Sequence, residues 1–105
     1  MSSLRQASDL IISGFEFDKR NLDKLAIRDI DDVLVTDVWA DDPRVFDNPP
    51  ASDRTASYLM IGMDANGALW TFAMIEVDDE LHIWRVITGW PTTRGKELRA
   101  WRNAG

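Results

Sequence analysis

The sequence contains no cysteine and only one histidine, His82. Without thiols the chain has no disulfides, no thiolate nucleophile and no cysteine-ligated zinc. A single histidine also excludes a histidine-rich metal site. The apolar run near the N-terminus, "LII", is far shorter than the roughly 20 residues of a membrane span or the core of a secretory signal. No phosphate-binding loop, dinucleotide fingerprint or Ser-His-Asp spacing is found. We therefore expect a cytoplasmic, soluble protein that needs no metal or cofactor and does not insert into a membrane.

The length of 105 residues fits one compact domain. Residues 1 to 14 lack a clear pattern and are predicted to be an N-terminal extension, with a short helix near Ser8 or Asp9. Residues 15 to 105 are predicted to form a single domain. The net charge of -6 argues against indiscriminate nucleic-acid binding, because phosphates repel an acidic surface.

Charge is segregated along the chain. Residues 29 to 47 carry seven aspartates against one arginine, whereas the segment from Arg85 to the C-terminus has five cations and one anion. Three of these cations, Arg85, Arg94 and Lys96, are expected to converge where the last strand meets the last helix. A helix N-terminus beside arginine can hold a phosphate. The alternative is that these cations pair with the acidic segment.

Hydrophobic spacing in the first half predicts two short helices with a bend between Arg28 and Asp31. Either Asp31 or Asp32 is expected to cap the second helix. Three prolines, Pro43, Pro49 and Pro50, then indicate a loop over residues 41 to 53 with a short extended piece at 44 to 46.

Three strands are predicted in the second half, at residues 56 to 64, 68 to 77 and 80 to 88. The pair Asn66-Gly67 favours a type I′ hairpin between the first two. Gly89 and Pro91 are expected to end the third, and a helix capped by Thr92 or Thr93 follows. The resulting fold is α+β: two N-terminal helices, a three- to four-stranded antiparallel meander and a C-terminal helix, with the helices on one face of the sheet.

His82 and the tryptophans are candidate functional residues on the basis of their side-chain chemistry. His82 lies in the third predicted strand, where imidazole can act as an acid or base near neutral pH, or can be a partly exposed strand residue. The five tryptophans can stack on bases or fill the core. Trp90, between Gly89 and Pro91, is the tryptophan expected at a contact surface.

The order of several motifs resembles the BrnT-type toxins of bacterial type II toxin-antitoxin systems, which have a RelE-like ribonuclease fold. "FEFD" at residues 15 to 18 and "NLDKLAIRDI" look like the family's opening strand and helix. "DDPRVFDNP" is similar to its Val-Phe-x-Asp-Pro segment, and "YLMIGMDANGALWTFAMIEV" looks like its hairpin. "RVITGWPTTRGKEL" resembles its arginine-containing ending. The resemblance spans about residues 15 to 101.

The resemblance implies metal-independent RNA cleavage, in which cations stabilise the charged transition state. The catalytic residues that it suggests are Arg85, Arg94, Arg28, Glu97 and His82. The residues expected to contact RNA are Lys24, Lys96 and Trp90. The implied partners are a cognate antitoxin of the ribbon-helix-helix type and RNA.

The chain departs from the family pattern at three positions. Arg28 and Asp29 stand where the family has histidine and glycine, and Trp90 stands where it has arginine. Guanidinium is a poor proton acceptor, which leaves Lys24, His82 or Glu97 as acid or base. Two hypotheses follow: a ribonuclease-type toxin, with weakened activity, or a non-catalytic member of the same fold that binds another protein.

Overall fold

The computed structural model describes residues 4–7, 9–48 and 56–104. In these residues the chain forms, in order, β1 (Gly14–Phe15), α1 (Lys19–Ala26), α2 (Asp32–Ala40), β2 (Arg44–Asp47), β3 (Tyr58–Met63), β4 (Leu69–Asp78), β5 (Ile83–Pro91) and α3 (Gly95–Ala104). The α+β class is confirmed. The predicted order is only partly correct, because β1 precedes the first helix and β2 lies between the second helix and the β3–β5 meander. The part of the predicted loop that contains Pro49 and Pro50 lies outside the described residues.

The sheet is mixed rather than purely antiparallel. Its five strands lie in the order β1-β5-β4-β3-β2, and β1 pairs with β5 in parallel while the other pairs are antiparallel. The prediction of three to four antiparallel strands did not include β1. A strand of two residues is too short to show an alternation of apolar and polar residues. The extended piece at 44 to 46 is a full member of the sheet, since Arg44–Asp47 pairs with Tyr58–Ile61 in order.

The segment before β1 packs on the sheet in an extended form. Ala7 donates its backbone N–H to Val45 O, and Asp47 donates its own to Arg5 O. The helix expected near Ser8 or Asp9 is not formed over residues 9 to 13, and Ser8 itself lies outside the described residues. Backbone hydrogen bonds to the edge of β2 replace the intrahelical ones.

Aspartates start both N-terminal helices. Asp18 Oδ1 accepts the backbone N–H of Asn21 at 2.8 Å, and Asp31 Oδ1 accepts that of Leu34 at 2.8 Å. These bonds satisfy amide groups that have no partner within the helix. The predicted bend and the cap at Asp31 are confirmed.

Two apolar clusters lie on opposite faces of the sheet, because alternate residues of a strand point to opposite sides. Met60 packs with one cluster, while its neighbours Leu59 and Ile61 pack with the other. The first contains buried residues of both α1 and α2, and the second contains Ala100 of α3. The helices therefore cover both faces, and the prediction that they lie on one face is wrong.

The β3–β4 hairpin forms as predicted, but its turn differs. Gly67 has φ +81°, whereas Asn66 is not among the residues with positive φ, so a type I′ turn is excluded. Gly67 N donates to Asp64 O, and Asp64 N donates to Ala68 O. This is a three-residue loop with glycine in the left-handed position. The side chain of Asp64 fixes it by accepting the N–H of Ala68 at 2.9 Å.

The last strand is longer than predicted. Gly89 and Trp90 lie within β5, opposite Phe72 and Thr71, and pairing continues to Pro91. Thr92 is buried, and its hydroxyl lies 2.6 Å from that of Thr71. Neither Thr92 nor Thr93 caps α3, which begins at Gly95 with φ +85°, because Thr92 still belongs to the strand ladder through its N–H bond to Leu69 O.

Gly89 is a buried residue of β5. Its replacement by alanine tests how closely this strand packs against its neighbours. A Cβ there would lie 2.5 Å from Phe72 Cδ1 and 2.9 Å from Thr71 O, and Phe72 is fully buried. We expect Gly89→Ala to lower the free energy of unfolding by about 2–3 kcal/mol, measured by urea denaturation. Gly14→Ala is the control, since its Cβ would meet only Ile83 Cδ1 at 3.7 Å. Equal stability of the two variants would contradict this packing.

Candidate phosphate-binding cleft

A cleft of about 260 Å³ lies between α1 and β5. Residues 20, 21 and 24 come from α1, where positions one turn apart share a face. Asn21 fastens the helix to the strand, because its Nδ2 donates to Val86 O at 2.9 Å. The residues that line the cleft are Asp18, Arg20, Asn21, Lys24, Arg85 and Ile87.

Arg85 is held at the cleft by two carboxylates. Its Nη2 lies 2.7 Å from Glu16 Oε1 and 3.0 Å from Asp18 Oδ2. Glu16 is positioned by the strand register, since its backbone N–H donates to Trp84 O at 2.9 Å. The hydrogen bond that Arg85 donates to Glu16, with the charge of Asp18, raises the pKa of Arg85 above its already high value. The guanidinium is therefore a permanent, oriented cation.

Asp18 has two roles, as the cap of α1 and as a partner of Arg85. Its pKa is lowered, chiefly by the hydrogen bond from the Asn21 backbone N–H and further by the charge of Arg85. An aspartate held in this way is a weak proton acceptor. Its contribution to the cleft is to orient Arg85 and to remain negatively charged.

Arg20 and Lys24 add positive charge along α1. Both side chains are exposed, and within the described part of the chain neither forms an ion pair. Three cations thus line the cleft, against one lining carboxylate and the adjacent Glu16. The cleft is locally basic although the chain as a whole is acidic.

Two buried polar atoms of the cleft residues have no hydrogen-bond partner among the described residues. They are Asn21 Oδ1, an acceptor, and Arg85 Nε, a donor. Leaving such a group unsatisfied costs roughly 1–3 kcal/mol, so each calls for a structural or functional explanation.

The cations predicted to converge are separated by the length of β5. Arg85 precedes Pro91 by six strand residues, which corresponds to about 20 Å, and Arg94 and Lys96 lie beyond that end. The strand predicted at residues 80 to 88 ends earlier than β5 does, so the predicted convergence of these cations is wrong. Among the described residues, neither Arg94 nor Lys96 pairs with a carboxylate.

The alternative expectation, that Arg85 pairs with the acidic segment over residues 29 to 47, is also wrong. Its partners are Glu16 and Asp18, which come before that segment. The hairpin of β4 and β5 places Arg85 on the strand beside β1, while the aspartates lie on α2, its flanking turns and the end of β2.

The remaining predicted site residues do not line the cleft. His82 is in the turn before β5, with φ 56°, and its Nδ1 lies 3.4 Å from Glu76 Oε2. Arg28 is exposed in the turn after α1, and Glu97 is half-buried at the start of α3. Trp90 is half-buried in β5 and packs against the second apolar cluster, so it is not the projecting turn residue that was expected.

Sequence reasoning placed Arg85 and Lys24 in the site but missed Glu16, Asp18, Arg20 and Asn21. Their signal was present in "FEFDKRN", where an aspartate cap precedes three polar residues. What pattern alone does not supply is the parallel pairing of β1 with β5, which brings Glu16 beside Arg85.

Other classes of site were sought in the described residues. No group of three or more histidine, aspartate or glutamate side chains is arranged to hold a metal ion. No helix in residues 4–7, 9–48 and 56–104 is long and apolar enough to cross a membrane.

No family model, curated protein or solved structure matches the chain. The family resemblance therefore depends on the quoted motifs alone, and the site has to be judged on its own geometry.

The lowered pKa of Asp18 generates the second prediction. A carboxylate whose pKa is depressed on folding stabilises the protein above its unfolded pKa of about 3.9 and loses that effect as the pH falls through the folded value. We expect Asp18→Asn to be less stable than the wild type at pH 7, with a difference that shrinks as the pH falls below about 3.9 and is lost once Asp18 is protonated in the folded protein as well.

The matched variant is Asp18→Ala, which removes the cap as well as the charge. It is expected to be less stable than Asp18→Asn at every pH, because asparagine still accepts a helix N–H. Urea denaturation from pH 7 down to a pH at which Asp18 is protonated in the folded state measures both differences. A pH-independent gap between wild type and Asp18→Asn would show that the charge of Asp18 contributes nothing.

Proposed function

We propose that the chain is a RelE-like, ribonuclease-type toxin of a toxin-antitoxin pair, and that its phosphate site is the cleft between α1 and β5. The observation that carries the proposal is the fixed Arg85 guanidinium at a cleft also lined by Arg20 and Lys24. Arginine held in one orientation binds phosphate oxygens at little entropic cost.

The fold part of the proposal is supported by the order of elements. Two helices, a meander and a C-terminal helix follow one another as the resembling motifs do along the sequence. "FEFD" falls on β1 and the cap of α1, and "RVITGWP" falls on β5. The two motifs that carry most of the resemblance therefore meet at one place, the cleft.

The chemistry of the cleft supports charge stabilisation better than proton transfer. Cations beside a phosphodiester stabilise the negative charge that develops when a ribose 2′-hydroxyl attacks it. Among the described residues that line the cleft, Asp18 is the only carboxylate. Its pKa is lowered, and it caps α1. We therefore expect RNA binding with slow cleavage.

A second candidate function is protein binding without catalysis, with a ribbon-helix-helix antitoxin as the proposed partner. It is favoured by the region where α1 ends and α2 begins, where Ile27 and Val33 are 84% and 60% exposed. Apolar side chains this accessible are suited to a protein interface when polar residues surround them. Arg28 and Asp29 provide such polar neighbours.

The third prediction separates the cleft from the start of α3. We expect the double variant Arg20→Ala/Lys24→Ala to bind single-stranded RNA on the order of tenfold more weakly at 0.1 M salt, with a salt slope smaller by about 1.4. Both side chains are exposed, so the fold should persist. Fluorescence anisotropy with a labelled oligonucleotide measures affinity and slope.

The matched control is Arg94→Ala/Lys96→Ala, which removes the same charge from the far end of β5. It should bind RNA as the wild type does, and expression of the wild type and of this control should arrest growth while the cleft variant does not. Equal loss in both double variants would mean that charge alone, not the cleft, binds RNA. Growth arrest without RNA binding, relieved by Ile27→Asp, would favour the protein-binding function.

A further inference from the structure

Two unpartnered atoms of opposite hydrogen-bonding character belong to residues of the same cleft. Asn21 is 7% exposed, and its Oδ1 can only accept a hydrogen bond. Arg85 Nε can only donate one. Both atoms are buried without a partner among the described residues.

The surrounding contacts hold both side chains in place. Asn21 Nδ2 is bonded to Val86 O, which fixes the amide and commits its oxygen to another direction. The terminal Nη2 of Arg85 is bonded to Glu16 and approached by Asp18, which fixes the guanidinium. Neither atom is satisfied by rotating its own side chain without breaking one of these bonds.

A ligand that satisfies both atoms must accept from Arg85 and donate to Asn21. A phosphodiester accepts hydrogen bonds but has no donor, and the same holds for a carboxylate. A ribonucleotide carries both groups on neighbouring atoms, since its 2′-hydroxyl is a donor next to the 3′-phosphate. The exposed cations Arg20 and Lys24 supply further charge for the phosphate.

We propose that the cleft selects ribonucleotides over deoxyribonucleotides, with Asn21 Oδ1 accepting a hydrogen bond from the 2′-hydroxyl while Arg85 Nε donates to the adjacent phosphate. This inference rests on the proposed phosphate site and adds its sugar specificity. Asn21 is a specificity-determining residue in this account, and Arg85 is a phosphate ligand.

Access to the two atoms requires a small rearrangement, because neither has contact with solvent in the free chain. Arg20 and Lys24 line the same cleft, and their exposed side chains can adjust as a ligand enters. Once inside, the hydroxyl and phosphate are shielded from water, where hydrogen bonds discriminate more strongly between ligands.

The fourth prediction uses three probes: adenosine 3′-monophosphate and its 2′-deoxy and 2′-O-methyl forms. A nucleoside 3′-monophosphate has no 5′-linked leaving group, so strand cleavage does not consume it. Isothermal titration of the wild type should give a dissociation constant about fivefold to tenfold lower for the ribonucleotide than for either analogue, the ratio expected for one hydrogen bond.

Lys24→Ala is the control variant, because it leaves Asn21 and its bond to Val86 O in place. Lys24→Ala should weaken all three probes by a similar factor, because it contributes charge and not sugar recognition. The ratio between ribose and 2′-deoxyribose should therefore be unchanged in that variant. A ratio that collapses in Lys24→Ala would assign the discrimination to lysine and overturn the role of Asn21.

The outcomes for this inference and for the proposed function are distinguishable. Equal affinity for the three probes, with RNA binding intact, overturns sugar selection and leaves the phosphate site standing; a bound water then satisfies the two atoms. Failure of every probe to bind overturns the inference, and RNA anisotropy then decides whether the phosphate site also falls.

Discussion

The ion pair of Arg85 with Glu16 and Asp18 joins β5 to two elements that lie far earlier in the sequence, with 69 residues between Glu16 and Arg85 in chain numbering. It ties the residue after β1 and the cap of α1 to the start of β5. β1 has only two residues, which is too little pairing to hold an edge strand by itself. The position of α1, and with it the cleft, depends on these contacts and on the bond from Asn21 to Val86.

An acidic protein acquires a basic cleft through this arrangement. Glu16 and Asp18 do not cancel the cleft's positive charge, because Arg20 and Lys24 lie on the same face of α1 and have no anionic partner among the described residues. The aspartates of residues 29 to 47 lie on α2 and beyond. The positive charge of the cleft therefore comes from α1 and from Arg85 together, which allows local attraction of an anion against an unfavourable net charge.

The sequence predicted local structure well where a single interaction decides it. Asp31 caps α2 because a short acceptor precedes a helical run, and Gly67 permits the hairpin because its φ is positive. The predictions that are wrong concern features that tertiary contacts determine. β5 continues through Gly89 and Trp90 because the ladder with Thr71 and Phe72 outweighs the breaking tendency of glycine.

For the site likewise, sequence reasoning identified single residues but not their tertiary partners. Arg85 was identified from the charge of its segment, but its partners depend on a parallel pairing that no local pattern encodes. The predicted convergence of Arg85 with Arg94 and Lys96 is wrong, because it assumed that β5 ends before Gly89. A cleft between elements 60 residues or more apart in sequence, as Asn21 and Val86 are, requires the topology before its members can be named.

The most direct measurement of the central claim is a phosphate titration of the isotopically labelled protein followed by nuclear magnetic resonance. If the cleft is the phosphate site, the backbone amide shifts will move most at residues 18 to 24 and 85 to 87. Shifts concentrated at residues 94 to 97, with the cleft unchanged, would contradict the account and return the phosphate site to the start of α3.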